Sequence, residues 1–215
     1  MRSRGRLFLP LLFVLASASP ASAQHKGMVT GLIAGFNIST LAGADAEDFN
    51  PSARSGLFVG AFGLVDLNRN VAIQPEVLIG QKGGNFEVAQ GELAKIATDY
   101  VTIPLSIVFR FPASESISPF ISVGPQMSFR VSCTAGVQTS SNTSTEVDCR
   151  DIDNAGSQPS TDFAVLFGAG AQVGNAMFSV RYDFGLTALE YTQNASKVHN
   201  RVIQLTAAYG FRVRQ

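Results

Sequence analysis

The chain has 215 residues, with 16 Lys and Arg against 16 Asp and Glu, 20 Gly, 16 Phe and no Trp. That length allows one or two domains, and the balanced charge leaves no basic footprint for nucleic acid. Glycine where backbones approach closely, with Phe in place of Trp at the edges, suits a sheet more than a helical bundle.

The N-terminus reads as an export signal. Arg2, Arg4 and Arg6 form a positive head, Leu7 to Leu15 an apolar core, and Ala21-Ser22-Ala23 an A-x-A cleavage site. The core is too short to cross a bilayer as a helix, although a retained N-terminal anchor is the alternative. The sequence thus divides into a signal peptide, 1–23, and a β-barrel domain, 24–215, mature from Gln24. Losing three arginines leaves 13 basic against 16 acidic residues, a net charge of −3. After residue 23 no apolar run approaches the length of a membrane helix, so any membrane role must use strands.

Residues 28–41 are a glycine-punctuated strand, and 42–54 a polar loop ending in Asn50-Pro51-Ser52. Leu57, Val59, Ala61 and Val65 then alternate with other residues through Leu67. Asn68-Arg69-Asn70 is a tight turn, and Val71, Ile73, Val77 and Ile79 continue the alternation as a hairpin. Residues 82–98 have weak helical periodicity from Val88 to Ala97, which fits a short helix or extended strand tips.

In 98–111, Val101, Ile103, Leu105, Ile107, Phe109 and Phe111 share one face. That face is about eleven residues long, the length a tilted strand needs to cross a bilayer. A turn at 112–116 leads to a strand over 117–131. There Phe120, Ser122, Gly124, Gln126, Ser128 and Arg130 oppose Ile121, Val123, Pro125, Met127, Phe129 and Val131.

Residues 132–161 are polar and read as the longest irregular stretch. They hold Cys133 and Cys149, expected in an exported protein to form one disulfide closing a loop of about 15 residues. A metal site is the alternative, but no His or second Cys pair lies nearby. A strand at 162–173 turns at Gly174-Asn175 into another at 176–186. A loop at about 188–199 precedes the last strand, with Ile203, Leu205, Ala207, Tyr209 and Phe211 on one face.

These are eight strands whose connections alternate long and short. Such a meander has its loops at one end and its turns at the other, the form of a bacterial outer-membrane barrel. The fold expected is all-β, an eight-stranded antiparallel up-and-down transmembrane β-barrel. Its interior candidates are Gln74, Glu76, Arg110, Gln126, Arg130, Gln172, Arg181, Asp183 and Gln204. Eight strands leave an interior that side chains can fill, and buried charges must pair. Glu76 and Asp183 are therefore expected to meet Arg130 and Arg181 in a plugged lumen, with Gln74 and Gln126 in the same polar network. An ion path or proton relay is the rival role for these groups.

Phe109, Phe111, Phe129, Phe163, Phe178, Tyr182, Phe184, Tyr209 and Phe211 are candidates for interfacial girdles. His199, near Ser196, Glu190 and Asn200, is the only candidate for rim catalysis, and the chain shows no nucleophile elbow.

Several short motifs also resemble those of PorT-like outer-membrane β-barrel proteins, in order along the chain. They are Gly31-x-x-x-Gly35-x-Asn37, Gln74-Pro75-Glu76 running to Gln81-Lys82-Gly83, and Tyr100-x-x-Ile103-Pro104-Leu105. Pro119-Phe120 with Gly124-Pro125, Phe167-Gly168-Ala169-Gly170, and Arg181-Tyr182 with Gly185-Leu186 complete the series. The resemblance implies an outer-membrane barrel similar in architecture to OmpA and OmpX transmembrane domains, and it implies no single activity. The chain departs from the usual ending in a terminal aromatic residue, because Arg-Val-Arg-Gln follows Phe211.

The function expected is that of a non-enzymatic, cofactor-free, monomeric barrel in the cell outer membrane. Its partners would be outer-membrane lipid and a surface protein or secretion-machinery component. The rivals are a soluble lipocalin-like barrel with an internal ligand, a narrow channel, and a rim-active lipid-modifying enzyme.

Overall fold

The computed structural model describes residues 28–42, 52–89, 92–111, 116–138, 144–148, 160–188 and 199–212. They form β1 (Met28–Ala42), β2 (Arg54–Asp66), β3 (Val71–Ala89), β4 (Glu92–Arg110) and β5 (Ile117–Gln138). The chain continues through β6 (Ser144–Asp148), β7 (Thr161–Val173), β8 (Ala176–Gly185) and β9 (His199–Arg212). Every pairing is antiparallel. The sheet runs β4-β3-β2-β1-β9-β8-β7-β5-β6, and β4 also pairs with β5. Eight strands thus close on themselves, while β6 stands outside the ring on β5 alone. Closure leaves the ring no unpaired edge, which is what lets a sheet exist in hydrocarbon.

The tight connections lie at one end. At the β2–β3 turn the Asn68 side chain accepts from the backbone N–H groups of Asn70 and Val71, both at 2.9 Å. Asn70 then joins the turn to β4: its carbonyl accepts from the Arg110 N–H at 2.7 Å and its side chain donates to the Arg110 carbonyl at 3.0 Å. Gly174, at the β7–β8 turn, has φ of 60°, a left-handed conformation that glycine adopts without steric cost.

The other end differs from strand to strand. β8 has 10 residues, close to what a tilted strand needs to cross a bilayer. β3 and β4 have 19 each and β5 has 22. Their turns are at the opposite end, so the excess projects past the loop end by roughly 30 Å along the strand. The 82–98 segment is therefore extended strand tips and not a short helix, with β3 and β4 still paired at Ala89 and Glu92.

The 132–161 stretch also departs from the expected irregular loop. β5 carries Cys133 inside it, and Ser144–Asp148 pairs back onto Thr134–Gln138. Its polar side chains hid a strand whose alternation has no hydrophobic contrast to mark it. A β-bulge at Asp99/Tyr100 of β4, opposite Ser132 and Arg130 of β5, sits where these strands leave the ring.

Candidate functional site: the barrel interior and its two rims

Alternation sets the two faces of each strand. On β8, Met177, Ser179, Arg181 and Asp183 are buried inside, while Phe178, Val180, Tyr182 and Phe184 are exposed. All nine girdle candidates are exposed on the outer face. Phe109, Phe111, Phe178, Tyr209 and Phe211 lie toward the turn end, where the Tyr209 and Phe211 rings meet edge to face at 5.2 Å. Phe129, Phe163, Tyr182 and Phe184 lie toward the loop end.

The interior is layered. At the turn end Leu64, Ala72, Val108, Phe120, Met177 and Ala208 form an apolar plug that continues up through Ile33, Phe58, Phe62 and Leu78. Two aromatics fit because the residues opposite them are glycines: Gly31 faces Phe62 and Gly35 faces Phe58 in the β1–β2 register. A Cβ on Gly31 would lie 2.5 Å from the Phe62 ring, and one on Gly35 would lie 2.7 Å from the Phe58 ring. This apolar layer is missing from the polar-lumen expectation. Its signal was the Gly-x-x-x-Gly spacing set against Phe58-x-x-x-Phe62 on the next strand.

The charged groups lie alongside this plug, with Glu76 paired with Phe62 and nearer the β2–β3 turn than Leu78. The Arg181 guanidinium donates to both Glu76 oxygens, from Nη1 at 2.8 Å and Nη2 at 2.9 Å. Gln74 Nε2 donates to Glu76 Oε1 at 2.7 Å. Asp183 is held differently, its Oδ2 accepting from Gln126 Nε2 at 2.9 Å and Gln204 Nε2 at 3.1 Å. All six of these side chains are buried.

Arg130 departs from the expected cluster. It pairs with the buried Tyr100 just before the bulge, on the same face as Gln126 and Ser128, is half-buried, and its backbone N–H donates to the Ser160 carbonyl. Its place on the strand, two inward positions nearer the loops than Gln126, sets it apart, so Arg181 takes Glu76 and amides take Asp183. Arg110 is also placed apart, at the turn end with Asp66, and the half-buried Gln172 donates to the Gly174 carbonyl.

Toward the loops from the ion pair lies a hydrogen-bonded layer. Lys82 Nζ donates to Ser128 Oγ at 3.1 Å and lies 5.4 Å from the centroid of the Tyr100 ring. Ser128 also meets Thr102 at 3.0 Å, and Asn200 donates to Asp162 at 2.9 Å. Ser39 and Asn37 donate to the carbonyls of Gly83 and Gln81. A lumen filled this way by polar contacts from facing strands holds the ring in one shape.

His199 Nδ1 is 3.1 Å from the Thr187 carbonyl; Ser196 and Glu190 lie outside the described residues. Cys133 is buried next to Thr98, and Cys149 also lies outside the described residues. No group of His, Cys, Asp and Glu among the described residues could hold a metal ion. No described helix is long and apolar enough to cross a membrane.

A family model described as "Outer membrane protein beta-barrel domain" matches residues 21–190 of the chain, stopping short of β9. Among solved structures the chain is similar to Ail, the attachment invasion locus protein of Yersinia pestis. That likeness has 16% identity and a TM-score of 0.41, covering 86% of this chain and 99% of that one. Neisserial surface protein A is 11% identical with a TM-score of 0.44, over 86% and 100% of the two chains. The outer membrane enzyme PagL is 15% identical with a TM-score of 0.38, over 80% and 98%. Comparison with curated proteins gave no match.

Proposed function

The chain belongs to the outer membrane protein β-barrel domain family and is an integral outer-membrane barrel; from that premise we propose that it works without catalysis, as a plugged barrel displaying a surface for contact or envelope structure. The observation that carries this reading is the mismatch in strand length. β8 ends near the membrane edge, whereas β3, β4 and β5 continue past it and take on β6 as a fourth strand. That extension is paired sheet, and paired sheet presents a surface at less entropic cost than a loose loop.

The distribution of side chains argues against the lipocalin-like alternative. A ligand-holding soluble barrel needs an apolar cavity and a polar exterior. Here Glu76, Arg181 and Asp183 are inside, with Leu32, Phe36, Leu57, Ile79 and Phe167 exposed outside. The buried Glu76–Arg181 pair supports a closed lumen over the channel alternative.

The finer assignments are proposals of the same standing. Residues 1–23 would be a signal peptide, removed to leave 24–215 as the barrel domain. Cys133 and Cys149 would form a disulfide beside the extension, a reading supported by export and by the lack of a free cysteine among the described residues. Gln74, Glu76, Gln126, Arg181 and Asp183, with Arg130 at the bulge, would serve structure and not transport. PorT-like proteins would be kin by motif order, and a surface protein or secretion component the partner of the extension, with the barrel itself monomeric.

Removing the projecting hairpin tips (83–97) tests the reading. The truncated barrel is expected to reach the outer membrane and to remain heat-modifiable on gels, while losing protease-protected contacts at the cell surface. Steady single-channel conductance from the intact protein in planar bilayers would overturn the plugged-lumen part. Changed lipid acylation that disappears with His199→Ala would overturn the non-enzymatic part.

A further inference from the structure

On the lipid-facing side six of the ring strands change from apolar to polar residues at the loop end. The change comes at Thr40 on β1, Ser55 on β2, Gln81 on β3, Asp99 on β4, Thr161 on β7 and Arg201 on β9. That line marks the outer edge of the hydrocarbon band. Arg201 is the one cation of those six residues.

Its guanidinium is held in place by neutral groups. Nη1 donates to the carbonyls of Gly185 at 2.9 Å and Asn200 at 3.0 Å. The guanidinium carbon lies 3.8 Å from the centroid of the Phe184 ring, on the strand residue that pairs with Arg201. The ion pairs found among the described residues join Arg181 to Glu76 and Arg110 to Asp66, and no described carboxylate pairs with Arg201. A cation at a membrane edge is stable when it reaches the headgroup layer and meets an anion there. The planar donor fork matches phosphate oxygens, and one nitrogen suffices for the two carbonyls it already meets.

A second feature lies on the same strands, deeper in the membrane. Ala207 of β9 pairs with Ala34 of β1 and Phe178 of β8. Ala34, Ala207 and Ala169 leave a shallow apolar groove of about 640 Å³ between the larger Phe36, Phe178 and Leu205. Ala207 is roughly 20 Å along β9 from Arg201 at the rise of an extended strand. A charged head and an apolar chain joined in one molecule would span that distance.

We propose that Arg201 and this groove hold one phosphate-bearing lipid of the outer leaflet. The phosphate sits on the guanidinium, and an acyl chain lies against Ala34, Ala169 and Ala207. The site is separate from the projecting sheet and does not depend on what that sheet contacts.

The test uses the full mature chain in nanodiscs, with retained lipid counted by native mass spectrometry after release into detergent. The probes are bis-phosphorylated lipid A, the same lipid with both phosphates removed, and inorganic phosphate as competitor. Wild type is expected to retain the phosphorylated lipid at least tenfold over the dephosphorylated one. Arg201→Gln should erase that preference, and Ala207→Phe should lower retention of both lipids. Inorganic phosphate should fail to displace the bound lipid. Equal retention of the two lipids by wild type would overturn the proposal without any variant, and an unchanged preference in Arg201→Gln would overturn it as well. Undiminished retention by Ala207→Phe would remove the groove, and displacement by inorganic phosphate would reduce the site to a simple anion contact. If Arg201→Gln fails the heat-modifiability check, Arg201→Lys keeps the charge without the planar fork and should retain part of the preference.

Discussion

The inner and outer faces of β8 are built from the same ten residues and solve opposite problems. Outside, Phe178, Val180, Tyr182 and Phe184 meet a medium that offers no hydrogen bonds, so they carry no charge. Inside, Arg181 and Asp183 are shielded from that medium by the sheet itself and depend wholly on partners across the lumen. The outer face therefore tolerates any residue of the right polarity. The inner face tolerates only residues that complete a specific contact.

That contrast predicts a ranked set of failures. The largest should come from Arg181→Met, which strands the Glu76 carboxylate with only Gln74 for company. Breaking a buried pair from one side costs about 3–5 kcal/mol, to be read as a lowered midpoint in denaturant unfolding from lipid vesicles. Pairing it with Glu76→Gln should restore most of the loss; a double variant as unstable as Arg181→Met would mean that the ion pair is not what holds the interior.

A charge moved to the opposite face should be next. Val180→Arg puts a guanidinium on the lipid side, at a cost of about 2–4 kcal/mol near the midplane. The same unfolding assay should show it, and an unchanged midpoint would place Val180 outside hydrocarbon.

Gly31→Val sharpens the comparison within the interior, because it adds volume without charge where the Phe62 ring lies. Overpacking of this kind costs about 1–3 kcal/mol. The companion change Phe62→Ala should remove the part of the clash that comes from the ring but not the part from the Tyr209 carbonyl, so that Gly31→Val costs less in that background than alone without becoming neutral.

The smallest effect belongs to the rim. Arg110 and Asp66 are partly exposed at the turn end, and exposed pairs contribute about 0.2–1 kcal/mol. Asp66→Asn should barely move the midpoint, and added salt should shrink even that difference. A loss as large as that of Arg181→Met would show this end to be as dry as the lumen.

Much of the barrel was readable from residues alone because alternation in a membrane strand is enforced on every residue. Val101 to Phe111 could point only one way once Ser106 and Thr102 were known to point the other. The same logic identified Gln74, Glu76, Arg181 and Asp183 as inward. It could not say how far along the barrel each inward group sits, and Arg130, paired with Tyr100, lies nearer the loops than Glu76 and Asp183. It missed β6 because Ser-Thr-Glu-Val-Asp shows no alternation of apolar and polar residues to mark a strand.

The sequence by itself determined the number of ring strands, which side of each meets lipid, and which end holds the tight turns. All of these follow from polarity and turn chemistry within a few neighbouring residues. Only the tertiary structure decided that Glu76 of β3 takes Arg181 of β8, that Phe58 and Phe62 lie over glycines of β1, and that β3 to β5 rise above the membrane. These depend on register and curvature across the closed ring, where residues far apart in the chain are brought opposite one another and no local pattern records the match.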